Sequence, residues 1–165
     1  SYITGSKTVT ISDANATALE VTDLSTIGGL TTGTVTVSNA VVLTGTQAEL
    51  EAALITADTK VVATTANVTV EDAASISELA AIDAAIATMS YSTVADTTSN
   101  AATNTGSYIT GSKTVTISDA NATAIDATDL STIGALTTGT VTVTNAIVIS
   151  GTESQVTAAL VTADT

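Results

Sequence analysis

Thr46-Gln47-Ala48-Glu49 places a hydroxyl residue three positions before an acid, at the start of a segment rich in aliphatic residues. This is the pattern of a capping box, in which the hydroxyl and the acid each accept a hydrogen bond from the backbone N–H of the other residue. Similar stretches recur along the chain, at Thr17-Ala18-Leu19-Glu20, Ser75-Ile76-Ser77-Glu78, Thr123-Ala124-Ile125-Asp126 and Thr152-Glu153-Ser154-Gln155. The sequence therefore predicts a series of helix starts, with Asp126 the poorest match because its side chain is short.

The predicted helix starts are regularly spaced. Residues 17, 46 and 75 are 29 residues apart, as are residues 123 and 152. The interval from 75 to 123 is 48 residues and holds Ser99 as a degraded start near its middle. Such spacing is typical of repeat proteins, in which each repeat is one small unit that buries its apolar face against its neighbours.

A longer repeat overlies the short one. Residues 1–59 recur as residues 107–165, and 45 of the 59 positions are identical. The changes are mostly mild, as between Leu19 and Ile125. Copies this similar favour a long repetitive surface protein over an enzyme. The second copy stops where the first is followed by Lys60, so we expect the 165 residues to be a window on a longer array.

Alternating and helical patterns follow one another within each segment. Thr8-Val9-Thr10-Ile11 and Thr34-Val35-Thr36-Val37 alternate as half-buried strands do. Apolar residues at helical spacing predict two helix faces, one with Val21, Leu24 and Ile27, the other with Leu50, Ala53, Leu54 and Ala57. The polar run 96–106 predicts a loop or a poor helical turn.

These patterns predict an α/β fold, namely a right-handed parallel β-solenoid-like repeat with two short strands and one short helix per coil. One array would fill residues 1–165, with coils at about 1–30, 31–58, 59–87, 88–105, 106–136 and 137–165. A doubly wound sheet is the main alternative. The interior would be thin, because the chain has no Phe or Trp and only three Tyr.

The net charge of the chain limits the kinds of molecule that it is expected to bind. The formal net charge is −13, with only Lys7, Lys60 and Lys113 as cations. Nucleic-acid binding needs many Lys and Arg side chains against phosphates, so the sequence predicts no nucleic-acid partner. It also predicts no insertion into a membrane, since no apolar run reaches the length of a span. The absence of cysteine excludes disulfides.

Few residues could support catalysis. The chain has no His and no Cys, which closes most acid–base and nucleophilic options, so we predict that it is not an enzyme. Gly5-Ser6-Lys7-Thr8 partly matches a phosphate-binding loop, but it lacks the first glycine and a predicted strand follows it. We interpret it as an exposed turn, and no organic cofactor is predicted.

Carboxylates at predicted strand ends are the candidate metal ligands: Asp13, Asp72, Asp96 and Asp119. Stacked repeats could align them, and calcium prefers six to eight oxygen ligands. The alternative is that they stabilise helix N-termini through the helix dipole. No known calcium-binding repeat is present, so the sequence favours capping and leaves calcium open as a cofactor.

Thr-x-Thr pairs occur at Thr8/Thr10, Thr34/Thr36, Thr114/Thr116 and Thr140/Thr142. A flat array of outward threonines is the arrangement by which some antifreeze proteins match ice. Threonine also simply suits the solvent face of a strand. Because Thr8/Thr10 and Thr34/Thr36 are expected on different kinds of strand, the pattern is a weaker indication of ice binding than of ordinary strands.

One segment carries a family resemblance. Residues 68–84, Val-Thr-Val-Glu-Asp-Ala-Ala-Ser-Ile-Ser-Glu-Leu-Ala-Ala-Ile-Asp-Ala, resemble repeat units of large cyanobacterial and marine bacterial surface proteins of the sheath, surface-layer or adhesin-like kind. The resemblance implies structural or adhesive work outside the cell or on the bacterial surface, and it transfers no site residues. We therefore expect a structural protein that associates with itself head to tail in a fibre or layer. A calcium-stiffened adhesin stalk and an ice-binding protein are the alternatives.

Overall fold

The computed structural model describes residues 2–56 and 60–161. The predicted face residue Ala57 and the ends of the long repeat at residues 1, 59 and 165 lie outside this part of the chain. Contacts divide the chain into two compact units, one of Ser1–Asp72 with Ser77–Tyr91 and the other of Ala73–Ile76 with Ser92–Thr165. No helix in the described ranges is long and apolar enough to span a bilayer.

Short strands and short helices alternate in the first unit. Its strands are β1 (Val9–Ile11), β2 (Ala18–Glu20), β3 (Val35–Val37), β4 (Val42–Gly45), β5 (Val61–Val62), β6 (Asn67–Val70) and β7 (Thr88–Ser90). Its helices are α1 (Val21–Gly29), α2 (Gln47–Leu54) and most of α3 (Ile76–Asp83). β1, β3 and β5 form one parallel sheet, and β2, β4, β6 and β7 form another.

The second unit repeats this alternation. Its strands are β8 (Thr93–Asp96), β9 (Thr114–Ile117), β10 (Ala124–Asp126), β11 (Val141–Val143) and β12 (Val148–Ser150). Its helices are α4 (Thr98–Thr103), α5 (Ala127–Leu136) and α6 (Glu153–Leu160). β8, β9 and β11 form a parallel sheet with β9 in the middle, and β10 pairs with β12 alone in the described residues.

The strand pairs place like residues beside each other. Val9 pairs with Val35, and Thr10 pairs with Thr36. Alternate residues of a strand point to opposite faces, so the valines turn inward while the threonines face out. Inward residues such as Val35 and Val37, with Leu24 of α1, are buried and form the core of the first unit.

The prediction of a single β-solenoid of stacked coils is wrong. The α/β class and the parallel pairing are present, but the strands belong to four separate small sheets. The physical reason lies in the lengths of the segments. β5 has only two residues and ends the first sheet, and the pairing offset falls from 26 residues between Val9 and Val35 to 21 between Asn67 and Thr88. β7, the first strand of its predicted coil, pairs with β6, the second strand of the coil before, and β8 pairs with β9, the first strand of the coil after, so the strands do not form two continuous ladders.

Two of the predicted helix starts are also wrong. Ala18–Glu20 and Ala124–Asp126 are strands, and the helices that follow begin at Val21 and Ala127. Pairing of these segments with β4 and β12 outweighs the local capping pattern. The starts near residues 46, 75 and 152 are confirmed, and the run 96–106 contains the short helix α4.

Candidate functional site

Asp96 is a buried carboxylate at the end of β8. Its Oδ2 accepts a hydrogen bond from the backbone N–H of Ile76, the first residue of α3, at 3.0 Å. Its Oδ1 accepts from the N–H of Thr97 and from Asn100 Nδ2, both at 2.8 Å. Burying a carboxylate is costly unless hydrogen bonds replace its water, and here two backbone groups and one side chain do so.

Asp72 and Asp119 act in the same way on other helices. Asp72 Oδ1 accepts from the N–H of Gln47, the first residue of α2, at 2.6 Å. Asp119 Oδ2 accepts from the N–H and the hydroxyl of Thr98, the first residue of α4, at 2.7 and 2.6 Å. In each case the aspartate follows the first residue of its helix in the sequence by 20 to 25 residues. Each of these carboxylates caps a helix of the preceding segment, and Asp96 also accepts hydrogen bonds from Thr97 and Asn100 at the start of α4.

Asp13 is the exception among the four candidates. It is the counterpart of Asp119 in the first copy of the long repeat, but its side chain is exposed and accepts no hydrogen bond from the described residues. Only its backbone carbonyl is engaged, by Asn39 Nδ2 at 2.6 Å.

The aspartates do not converge on one another. Within residues 2–56 and 60–161, no three acidic side chains lie close enough together to hold a metal ion. Each of Asp72, Asp96 and Asp119 has at least one oxygen committed to a helix N–H. Calcium binding at these residues stays a prediction, and the arrangement itself is that of a set of helix caps.

Replacing Asp119 with alanine is expected to lower the free energy of unfolding by about 1 kcal/mol, because the Thr98 N–H loses its acceptor. Asp13→Ala removes the same charge from the same local sequence and is expected to leave the stability of the single chain unchanged, since no helix of its own chain depends on it. Urea unfolding followed by circular dichroism compares the two variants. Equal losses would contradict the assigned role of Asp119.

Two capping boxes are complete, at α2 and α6. Thr46 donates from its N–H and its hydroxyl to Glu49 Oε2, both at 2.9 Å. Thr152 makes the equivalent bonds to Gln155 Oε1 at 2.7 and 2.9 Å. The hydrogen bond from the Thr46 N–H, assisted by the hydroxyl, lowers the pKa of Glu49 below its usual value.

The lowered pKa of Glu49 predicts a pH-dependent contribution to stability. That contribution is fully present above the ordinary glutamate pKa and is lost as the pH falls through the lowered pKa of the folded state. Glu49→Gln should keep the box, as Gln155 does in α6, and should reduce the loss of stability on acidification. Glu49→Ala should lower stability at neutral and acidic pH alike. Urea midpoints at several pH values test this, and identical pH profiles for wild type and Glu49→Gln would refute it.

The Gly-Ser-Lys-Thr segment is held as a structural turn. The hydroxyl of the buried Thr31 donates to the carbonyl of Gly5 at 2.9 Å and to that of Lys7. The same hydroxyl accepts from the Gly33 N–H at 2.9 Å. Thr137 repeats this network in the second copy. A strand follows the turn, whereas a phosphate loop leads into a helix.

Threonines form rows on the outer faces of two sheets. Thr10 lies beside Thr36, and Thr116 lies beside Thr142. The Thr-x-Thr pairs of β1 and β3 are therefore neighbours, which corrects the expectation that they occupy different kinds of strand. The rows are short, because Val62 follows Thr36 across the first sheet.

A shallow depression of about 260 Å³ lies in the first unit. Its lining is aliphatic and hydroxyl-bearing: Thr34, Leu54, Ile55, Thr56, Lys60, Val61 and Val62. Among the described residues the lining has one ammonium and no carboxylate, so these residues offer no pair of groups for acid–base chemistry.

Comparison of the chain with protein-family models, with curated proteins and with solved structures gave no match. The feature that the sequence analysis missed is the link of Asp72, Asp96 and Asp119 to a preceding helix. For Asp72 and Asp119 the signal is a phrase of Val-Thr, two further residues and Asp, at residues 68–72 and 115–119, and the same phrase occurs at residues 9–13.

Proposed function

We propose that this chain is a structural repeat protein of an extracellular or bacterial cell-surface fibre or layer, and that it associates with itself. The observation that carries the proposal is the presence of open strand edges beside well-paired ones. β9 lies between two strands, whereas its counterpart β1 pairs only with β3 among the described residues. An open edge presents unpaired backbone N–H and C=O groups, which favour the addition of another strand.

The use of the polar side chains supports a structural role. Asp72, Asp96 and Asp119 cap helices, and Thr31 and Thr137 bind turns together. In the described residues no buried side-chain polar atom is left without a partner. The chemistry of the chain is thus directed at holding its own segments in place, and the proposal includes no catalytic step.

Electron microscopy and light scattering at increasing protein concentration test this function. Concentration-dependent growth of fibres or layers is the expected result. A particle of one chain at every concentration would overturn the proposal. Growth that requires calcium and disappears with a chelator would support the calcium-stiffened adhesin in its place.

Ice binding is a second candidate, favoured by the neighbouring threonine rows of β1 and β3. Thermal hysteresis and shaping of ice crystals by the wild-type chain would support it. Thr36→Tyr should then abolish hysteresis, while Thr22→Tyr, on the exposed side of α1, should not. Absence of hysteresis in the wild type would exclude this candidate.

A further inference from the structure

The same hexapeptide occupies two different environments in this chain. Thr-Val-Thr-Ile-Ser-Asp occurs at residues 8–13 and again at residues 114–119. In the second copy, Val115 is 1% exposed and Ile117 is fully buried. The counterparts Val9 and Ile11 are only half-buried. The difference cannot come from the local sequence, so it comes from the neighbour β8, which covers β9 and has no equivalent beside β1 in the described residues.

β12 also differs from its counterpart in the other copy, both in the number of its neighbouring strands and in its exposure. Its counterpart β4 lies between β2 and β6, and Leu43 at its centre is fully buried. β12 pairs only with β10 in the described residues, and Ile149 is half-buried while Val148 is 54% exposed. Leu160 on the following helix is 57% exposed, whereas its counterpart Leu54 is half-buried. The second copy therefore leaves apolar surface open where the first copy covers it with β6.

The sequence of β6, the strand that covers β4, follows the same pattern as the sequence of β1, whose edge is open. Residues 67–72 are Asn-Val-Thr-Val-Glu-Asp, and residues 8–13 are Thr-Val-Thr-Ile-Ser-Asp. β6 lies with Val68 beside Leu43 and Thr69 beside Thr44, and the Glu71 N–H donates to the Gly45 carbonyl at 3.0 Å. Asp72 then caps Gln47, two residues beyond Gly45.

The β8–β9 pair inside the chain shows that the hexapeptide itself can pair with an open strand and cap the helix that follows that strand. Val115 lies beside Val94 and Ile117 beside Asp96, and the Ser118 N–H donates to the Asp96 carbonyl at 3.0 Å. Asp119 then caps Thr98, again two residues beyond the paired position. The β4–β6 and β8–β9 pairs therefore share one register, in which the aspartate caps the residue two positions beyond the last paired residue.

We propose that β1 of one molecule pairs in parallel with β12 of a second copy of this chain. By the register of β6 on β4, Val9 lies beside Ile149 and Thr10 beside Ser150. The same register brings the Asp13 carboxylate to the backbone N–H of Glu153, the first residue of α6. The exposed Asp13 and the open surface of β12 thus complete each other as Asp72 and β4 do within one chain. This contact deepens the proposed self-association and rests on it.

The backbone of β1 is oriented for this contact. The Val9 N–H donates to Thr34, and the Ile11 carbonyl accepts from Ser38, so these two residues bond to the β3 side. Alternate residues of a parallel strand bond to opposite sides, which turns the backbone groups of Thr8, Thr10 and Ser12 to the open edge. The corresponding Thr114 N–H donates to Ser92 across the β8–β9 junction, at 3.0 Å.

The charge of the chain predicts how the contact responds to salt. Two molecules of net charge −13 repel each other, and Glu153 itself carries a carboxylate at the contact. Screening weakens this repulsion, while the backbone hydrogen bonds and apolar burial of strand pairing are little affected. Association is therefore expected to strengthen as the ionic strength rises.

Sedimentation velocity of the wild type and matched variants tests the contact. Thr10→Pro removes an N–H that faces the open edge and spares the bonds to β3, and edge strands tolerate proline. Asp13→Asn removes the capping charge, and Asp23→Asn on exposed α1 is its charge-matched control. Thr10→Pro should weaken association at least about tenfold, which corresponds to about 1.4 kcal/mol. Asp13→Asn should weaken it, and Asp23→Asn should not.

Engineered cysteines test the register, since the native chain has no Cys. A Thr10→Cys chain mixed with a Ser150→Cys chain should form a disulfide-linked heterodimer, because register partners lie within disulfide reach. Thr44→Cys with Thr69→Cys in one chain is the positive control, since these residues pair in the structure. Thr22→Cys in place of Thr10→Cys is the negative control and should not cross-link with Ser150→Cys.

The outcomes separate this contact from the general proposal. Wild-type association that is unaffected by Thr10→Pro and gives no Thr10–Ser150 cross-link would overturn the assigned contact and leave self-association standing. A wild type that stays monomeric at every concentration and salt would overturn both. Circular dichroism must show a native spectrum for Thr10→Pro, and Asp13→Asn together with the cysteine pair decides the matter if it does not.

Discussion

Gly33→Ala is expected to lower the free energy of unfolding by about 2–3 kcal/mol, a large effect for one methyl group. A Cβ at residue 33 would lie 2.4 Å from the carbonyl oxygen of Lys7, so backbone atoms must move apart. That movement would also disturb the hydrogen bonds that Thr31 makes to Gly5 and Lys7. In the second copy, a Cβ at Gly139 would likewise lie 2.3 Å from the carbonyl oxygen of Lys113.

Gly29→Ala is the matched control, and its effect should have the opposite sign. A Cβ at Gly29 would meet nothing within 4 Å, and the residue lies in α1. Alanine loses less backbone freedom on folding than glycine does, so we expect a gain of roughly 0.5–1 kcal/mol. The second copy already carries Ala135 at this position. Urea unfolding measures both variants, and effects of the same sign would refute the explanation.

Leu43→Ala is expected to destabilise the first unit by roughly 2–5 kcal/mol. Leu43 is fully buried in the middle of the second sheet, with Leu19 on one side and Val68 on the other. Removing its side chain loses apolar burial and leaves a cavity that two neighbouring strands prevent from closing. Chemical unfolding monitored by circular dichroism measures the loss.

Leu19→Ala supplies the control in the same sheet and the same row. Leu19 lies on the edge strand β2 and is half-buried, so its truncation removes less buried area and opens onto solvent. The expected loss is about 1 kcal/mol. Comparable losses of stability for the Leu19 and Leu43 variants would contradict the structure, in which Leu43 is buried more deeply than Leu19.

The local strand and helix patterns could be predicted where one interaction dominates. The alternation of Val35, Thr36 and Val37 fixes a strand because it fits no helix face. The capping box at Thr46 fixes a helix start because both its bonds form within four residues. In such places neighbouring residues supply most of the energy that selects the structure.

Other features depended on partners far along the chain. Thr17 and Glu20 have the spacing of a capping box, but pairing with β4 makes Ala18–Glu20 a strand. The division into separate sheets depends on how many residues each segment contributes. The sequence around the two-residue strand β5 does not indicate that the sheet ends there. Asp72, Asp96 and Asp119 could be recognised as caps, but not assigned to their helices, because each helix begins 20 to 25 residues earlier.

The direction of these caps has a consequence for the order in which the chain acquires its structure during synthesis. Translation releases α2 before Asp72, α3 before Asp96 and α4 before Asp119. Each helix therefore emerges from the ribosome without its final hydrogen-bond acceptor and gains it only when the following strand arrives. Assembly of α2, α3 and α4 must therefore lag behind elongation by about one segment, and each of these helices is incompletely stabilised until its aspartate has emerged.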